Sequence, residues 1–417
     1  MRVRWRILYS MRVVQKFGGT SVADAERIRH VAGQVAGRVS AGDEVVVVVS
    51  AMGNRTDELI DLALEVSPDP DPRELDQLLA TGEHMSAALL AMALHAMDQE
   101  AVGLTGSQAG IYSRASHGSG RIQRIDADRI EDELRAGRIP IVAGFQGVTE
   151  EADYVTLGRG ASDLTAVALS VALGADRCET YKDVEGVYTA DPRMVPNARR
   201  LADVHYEEML EMATQGSQVM HSRAVELAAV NAMPILVASS MVDAPGTLIH
   251  GGPEMEERNR VRGVVDDHDI AKVTLRHVPD RRGIAAQIFE PLAEAGVSVD
   301  TIVQNASERN LTDLTFTLAR GDLRRAAGLM DDICEAIGAD GYTADTNLGK
   351  VSIVGAGIQT EPGYAARMFR ALADADVNID LITTSEIRIT CIVHEDHMGQ
   401  AVNALHTAFG LENPDRV

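Results

Sequence analysis

VVQKFGGTSV, residues 13–22, is an apolar run followed by Lys16, the adjacent glycines Gly18 and Gly19, and then Thr20 and Ser21 opening a helical pattern. Read outward from here, the chain begins as strand, turn, helix. A lysine at the end of a strand, beside bare backbone and before a helix start with unpaired N–H groups, suits an anion, most often a phosphate. A plain glycine turn would use the same residues. The stretch is not a P-loop, since G-x-x-x-x-G-K-[ST] is absent, and the chain has neither H-R-D nor D-F-G.

The alternation continues to about residue 250. Strand candidates are 12–16, 44–50, 140–146 (PIVAGFQ), 177–181 and 234–238, with alanine- and leucine-rich helical stretches such as 74–97 and 162–174 between them. This order implies a mostly parallel sheet with helices on both faces. The unbroken run EVVVVVSAM (44–52) reads as a strand buried on both sides. The polar GPEMEERNR (252–260) reads as a boundary.

Beyond it the chain repeats itself. GIAAQIFEPLAEAGVSVDTI (283–302) aligns with GYAARMFRALADADVNIDLI (363–382) at an offset of 80, with ten identities in twenty positions. Gly283/Gly363, Phe289/Phe369, Asp300/Asp380 and Ile302/Ile382 are among them. Each copy reads strand, turn, helix, strand, so the C-terminal third is two copies of a small α+β module. A duplicated structural module and a regulatory pair both fit this pattern.

The 417 residues allow two or three domains. A net charge of −23 argues against nucleic acid and anionic membrane surfaces, and no apolar run is long enough to span a bilayer. The basic MRVRWRILYS (1–10) lacks a full signal-peptide core and reads as a loose extension or an upstream start. Cys178, Cys334 and Cys391 have no paired or metal-ligand spacing, and are expected as buried thiols in a reducing cytoplasm. Lysine occurs only at 16, 182, 272 and 350, every other cation being arginine. This suits a high-salt cytoplasm, and equally a GC-rich genome. It also singles out Lys16 and Lys182 in a chain that can hold an anion only through local cations.

Further stretches carry chemistry. In TLGRGASDLTAVAL (156–169) glycines flank Arg159, which offers a bidentate fork to a carboxylate. Ser162 and Asp163 then open a helix, either as its cap or as site residues. YKDVEGVYTADPR (181–193) is a plausible loop over a nucleotide, or an ordinary long connection. SAMGNRTD (50–57) places Ser50 and Thr56 beyond the end of the most hydrophobic strand, where open α/β sheets bind ligands. LATGEHM (79–85) puts Glu83 in a glycine-marked break of a helical stretch.

With KFGGTSV, GRGASD, DVEGVYTADPR, VPDRRGIAAQIF, IVQNAS and TSEIRI in this order, the chain resembles the aspartokinases over residues 12–417. These are members of the amino-acid kinase family that carry a C-terminal pair of ACT domains. The resemblance implies a three-layer α/β/α kinase domain over 11–250, followed by two ferredoxin-like ACT domains over 262–340 and 341–417. Their boundaries are open to interleaving, with 262–268 pairing into the second. It implies ATP, with Mg2+ carried mainly by the nucleotide, and L-aspartate giving 4-phospho-L-aspartate and ADP. This is the first step towards lysine, threonine and methionine. Carried over residue by residue, Lys16, Gly18, Gly19, Lys182, Asp183, Tyr188, Arg193 and Gln218 meet ATP. Ser50, Thr56, Glu83, Arg159 and Ser162 meet aspartate, and Asp163 organises the site around Lys16. Asp280, Gly283, Gln304 and Asn305 would meet an amino-acid effector, lysine or threonine. A cytoplasmic homo-oligomer joined through the ACT domains follows, with no further catalytic domain after them.

The chemistry agrees independently. A side-chain carboxylate with a pKa of about 3.9 is already ionised at pH 7, so no general base is needed. The difficulty is bringing one anion to another, which positioning and charge neutralisation solve. Three departures stand out. Gln218 in GSQVMHS (216–222) replaces a usual lysine, with Lys182 placed to compensate. Ala161 stands where glycine is common, and RRG (281–283) lacks the usual proline. Competing readings are a kinase of glutamate, acetylglutamate or a nucleoside monophosphate, and a non-catalytic amino-acid sensor.

Overall fold

The computed structural model describes residues 10–252, 261–305, 310–358 and 362–413. The expected extension and the polar boundary lie outside these residues, apart from Ser10 and Gly252. The described chain forms two compact units. One holds 10–187, 200–213 and 218–252; the other holds 188–199, 214–217 and the residues from 261 onward.

The first unit begins β1 (Arg12–Phe17), α1 (Ala25–Ser40), β2 (Glu44–Val49), α2 (Arg55–Val66), α3 (Pro72–His95) and β3 (Ala101–Leu104). It continues with β4 (Ile111–Ser113), β5 (Ile122–Ile125), α4 (Asp128–Arg135), β6 (Ile139–Ala143), β7 (Gln146–Val148) and β8 (Tyr154–Thr156). Then follow α5 (Ser162–Ala172), β9 (Arg177–Lys182), β10 (Asp203–His205), α6 (Tyr206–Thr214), α7 (Ser222–Val230), β11 (Ile235–Ser239) and β12 (Thr247–His250). The main sheet has the order β10-β12-β11-β9-β1-β2-β6-β3. All its neighbours are parallel except β11 with β12.

A parallel sheet needs cover on both faces. Alternation along the strands sends Val13, Phe17, Val45, Val47 and Val49 to one face, against Val31 and Val35 of α1 and Leu90 and Leu94 of α3. Ile28, Val31, Ala32 and Val35 are buried at helical spacing, which fixes the inward side of α1. Val14, Lys16 and Val48 therefore face the other layer, where α5 lies against β1 and β9 with α7 beside it. The expected strand 140–146 is split. The chain leaves the main sheet after Ala143, passes Phe145 at φ +68°, and joins a small sheet as β7, in the order β5-β4-β7-β8.

In the second unit the order is β13 (Gly263–Asp267), β14 (Ala271–Pro279), α8 (Ile284–Glu294), β15 (Val299–Gln304), β16 (Leu311–Leu318), α9 (Leu323–Ile337) and β17 (Gly341–Asp345). β18 (Leu348–Val354), α10 (Tyr364–Asp374), β19 (Leu381–Thr384), β20 (Arg388–His394) and α11 (Met398–Phe409) follow. Two four-stranded antiparallel sheets result, β15-β16-β14-β17 and β13-β18-β20-β19. The strand before the first module thus completes the sheet of the second. Ala190 and Val195, from 188–199, share a core with Val264, Met368, Leu405 and Phe409. All three cysteines are free and buried.

Candidate active site

β1 and β9 are neighbours, but the chain runs from β1 to β2 on one side and from β9 to β11 on the other. Such a reversal opens a crevice beyond the carboxyl ends of the strands, where open α/β sheets bind ligands. Lys16 is the penultimate residue of β1 and Lys182 the last of β9. Asp163 projects from the first turn of α5 between them. Its Oδ1 lies 2.7 Å from Lys16 Nζ, and its Oδ2 accepts a hydrogen bond of 2.9 Å from Lys182 Nζ. Lys16 is 5% and Asp163 2% exposed. Burial alone would push the Asp163 carboxyl up, but Lys16 and Lys182 outweigh it and hold the group well below the usual carboxylate range. Burial pulls the Lys16 ammonium down, against the attraction of Asp163. Neither Ser162 nor Asp163 caps α5: its N-cap position is Ala161, with no side-chain cap.

The glycine turn is built otherwise than its spelling implied. Gly18 is extended, and residues 19–22 form one 3-10 turn. α1 starts only at Ala25, and its first free N–H groups, on Glu26 and Arg27, are capped by Asp24. The helix therefore does not begin at Thr20 and Ser21, and its amino end is already satisfied. Gly19 is needed for another close approach: a Cβ there would lie 2.7 Å from the Ala51 carbonyl oxygen. Gly53 N–H donates to Gly19 O at 3.0 Å, and Ser50 N–H to Phe17 O at 3.2 Å, so the loop after β2 is bound to the turn after β1.

Glu83 is reached from the same loop. Ala51 N–H donates to its Oε1 at 2.9 Å, while its Oε2 is buried with no hydrogen-bond partner. Burial pushes this carboxyl up to about 8, with Lys16 among the groups pulling it back. Glu83 sits in the middle of the unbroken α3, not at a break. Gly82 keeps the helix close to the loop, since a Cβ there would meet Ala51 Cβ at 2.9 Å.

The remaining candidates are spread over both units. Arg159 stands on an exposed loop, its side chain 83% exposed, and pairs with Asp57 of α2 at 2.6 Å. Thr56 precedes that aspartate and is half-buried, as is Ser50, while Ser162 is buried. Asp183 and Gln218 are exposed in the first unit. Tyr188 and Arg193 fold with the second unit, where Arg193 pairs with Asp191 at 2.6 Å. In the first module Asp280 N–H donates to Asn310 O at 2.9 Å, and Asn305 O accepts from Thr312 Oγ1 at 3.0 Å. Asp280 and Asn305 are thus drawn to the start of β16, with Gln304 beside them and Gly283 at the side-chain-uncapped start of α8.

Two neighbours escaped the sequence reading. Asp57 holds Arg159 from another element, which no local spacing reveals. His221 lies in the stretch noted only for Gln218. A Cβ on Gly160 would come within 3.3 Å of its Cδ2, its Nδ1 is buried without a partner, and burial holds its imidazole below the ordinary value.

Residues 11–239 match the amino acid kinase family, and residues 273–338 and 351–409 each match an ACT domain. A kinase fold with the crevice at its sheet reversal, followed by an ACT pair, is the class these findings define. The aspartokinase of Mycolicibacterium smegmatis is 50% identical over 409 residues, covering 97% of this chain and 97% of its own length. E. coli aspartokinase III, solved with aspartate and ADP in the R-state, has a TM-score of 0.82 at 25% identity and covers 95% of this chain and 99% of its own. Solved with lysine and aspartate in the T-state, it has a TM-score of 0.72 at 25% identity, covering 96% and 100%. The chain belongs to the aspartokinases of the amino acid kinase family. Among the described residues no helix is long and apolar enough to cross a membrane. Among them, too, no group of three or more His, Cys, Asp or Glu is placed to hold a metal ion.

Proposed function

We propose that the protein transfers the γ-phosphoryl group of ATP to the side-chain carboxylate of L-aspartate, giving 4-phospho-L-aspartate and ADP. The observation that carries this is the bridge of Asp163 between Lys16 and Lys182 at the sheet reversal. A lone buried lysine tends to lose its charge; at Lys16 the Asp163 carboxylate opposes that loss, and its two oxygens tie both ammonium groups to one place. Two fixed cations facing the crevice lower the repulsion between the nucleotide's phosphates and an incoming carboxylate, and they need no reorganisation during the reaction. Gly18, Gly19, Asp183 and Gln218 complete the nucleotide contacts in the first unit.

Aspartate is held by its other two groups. The unpartnered Oε2 of Glu83 receives the α-ammonium, and Arg159 exchanges Asp57 for the α-carboxylate, with Ser50, Thr56 and Ser162 lining the space. The β-carboxylate is left to face the γ-phosphate. Asp163 has both oxygens engaged by lysines, so magnesium would be held mainly by the nucleotide, where it supplies further neutralisation of phosphate charge.

An amino-acid effector, lysine or threonine, is read by the first ACT module. Asp280 meets its ammonium, the open start of α8 at Gly283 its carboxylate, and Gln304 and Asn305 close the site. The chain associates with itself through the edge strands β15 and β19, whose matched residues Ile302 and Ile382 are exposed. The setting is the cytoplasm. ATP turnover with L-aspartate against L-glutamate, trapping the acyl phosphate with hydroxylamine, tests the reaction. Hydroxamate from aspartate supports it, and product from glutamate alone contradicts it.

A further inference from the structure

We propose that Asp76 of α3 is a positioning residue for aspartate, acting through Thr156 on the loop that carries Arg159. The inference rests on the assignment of Glu83 and Arg159 to aspartate and adds what sets the spacing between them. Every residue in it belongs to the first unit. Asp76 is 1% exposed, and its carboxylate is engaged on both oxygens. Oδ1 accepts from Thr156 Oγ1, and from Gly118 N–H at 3.2 Å. Oδ2 accepts from the same N–H at 3.0 Å and lies 2.9 Å from His117 Nδ1. A buried carboxylate bonded in this way holds its partners in one arrangement.

Thr156 ends β8, and only residues 157–161 separate it from α5, with Arg159 in their middle. At the far end of this loop Asp163 is fixed by Lys16 and Lys182. At the near end the fixing falls to Asp76. Gly120 N–H donates to Thr156 O at 2.8 Å, and Arg223 of α7 donates to Leu157 O at 2.7 Å and to Gly120 O at 3.0 Å. The turn at 117–120, which Asp76 holds, is thus itself bound to the root of the loop. α3 is fastened along the same edge at further points. Arg73 pairs with Asp153, Ala80 O accepts from Gln146 Nε2 at 3.1 Å, and His84 Nε2 lies 2.7 Å from Gln146 Oε1. Residues 73, 76, 80 and 84 share one helix face. Glu83 stands on the same helix two turns, or about 10 Å, beyond Asp76. One rigid element therefore carries the group assigned to the α-ammonium and fixes the root of the loop bearing the group assigned to the α-carboxylate.

Steady-state kinetics and aspartate calorimetry on the full chain test this, with Asp76→Asn, Thr156→Val, Thr156→Ser, and Thr156→Val combined with Arg159→Lys. Loss of the Thr156 hydrogen bond should raise KM for aspartate about threefold to tenfold in Thr156→Val, with KM for ATP within about twofold of the parent. Asp76→Asn should raise KM for aspartate at least as much. Thr156→Ser, which keeps the hydroxyl, should restore the parent value. Because the effect runs through Arg159, Thr156→Val should add less than about twofold in the Arg159→Lys background, a coupling that a merely structural role would not produce. An unchanged KM for aspartate, an equal rise for both substrates, or the full rise repeated in the Arg159→Lys background would overturn the proposal. If Asp76→Asn does not fold, the variants at 156 decide alone. A parent that binds aspartate but makes no hydroxamate from it would contradict the assigned reaction instead. The dissociation constants for aspartate of the parent and Thr156→Val then decide this inference by the same fold-change.

Discussion

Lys16 Nζ and Asp163 Oδ1 lie 2.7 Å apart, both groups buried, at the ends of the neighbouring parallel strands β1 and β9, from which the chain runs to opposite sides of the main sheet. Two of the four lysines in the chain meet this single carboxylate. A buried ion pair is a poor device for stability by itself, since desolvation offsets much of the attraction. Its proposed value here is to present fixed positive charge to phosphates.

Asp163→Asn should destabilise the fold by about 3–5 kcal/mol, because it leaves the buried Lys16 ammonium and the half-buried Lys182 ammonium without their counter-charge. The pH dependence follows from the direction of the shift. The folded carboxyl lies below its unfolded value of about 3.9, so its contribution is complete above that pH and is lost as pH falls below it. Chemical denaturation from pH 8 to pH 3 should show a constant deficit down to about pH 5, narrowing only in stronger acid. A deficit that grows as pH falls would contradict this assignment.

Glu83 behaves in the opposite sense. Its folded carboxyl, pushed up to about 8, lies above the unfolded value, so its favourable contribution is complete in acid and is lost as pH rises towards 8. Glu83→Gln should be at least as stable as the parent at pH 9 and bind aspartate far more weakly. KM for aspartate in the parent should fall as pH rises through about 8, with the ionised form taking the α-ammonium. A pH-independent KM across that range, measured at saturating ATP, would remove Glu83 from the substrate site.

Arg159→Lys should raise KM for aspartate much more than KM for ATP, since lysine keeps the charge but loses the planar fork. The side chain is exposed and bound only at the surface by Asp57, so thermal stability should change by less than about 0.5 kcal/mol. A rise in KM for ATP instead would place Arg159 on the nucleotide.

Much of this was legible in the chain. The unbroken valines of β2 and the alternation of strand and helix signals gave the layers, because a parallel sheet buried on both faces leaves no other pattern. Lys16 and Lys182 stood out because the chain otherwise uses arginine. Gly19 was legible as a close approach, but not what it approaches: the partner is the Ala51 carbonyl, a backbone atom with no sequence signal. The capped start of α1 was hidden for a related reason, since Thr20 and Ser21 resemble a helix opening while Asp24 does the capping. β3, β10 and β12 are three or four residues long and carry too few apolar positions to show a period. Asp57 with Arg159 joins segments that only the folded chain brings together.

The most direct measurement is kcat for Lys16→Met in the hydroxylamine assay with ATP and L-aspartate, on protein shown by circular dichroism to be folded. Lys182 still holds Asp163 in this variant, so the fold should survive. Losing one pre-placed cation should lower kcat by about 100- to 1,000-fold, the cost of removing a group aimed at charge in the transition state. A folded Lys16→Met protein that turns over at the parent rate would contradict the account.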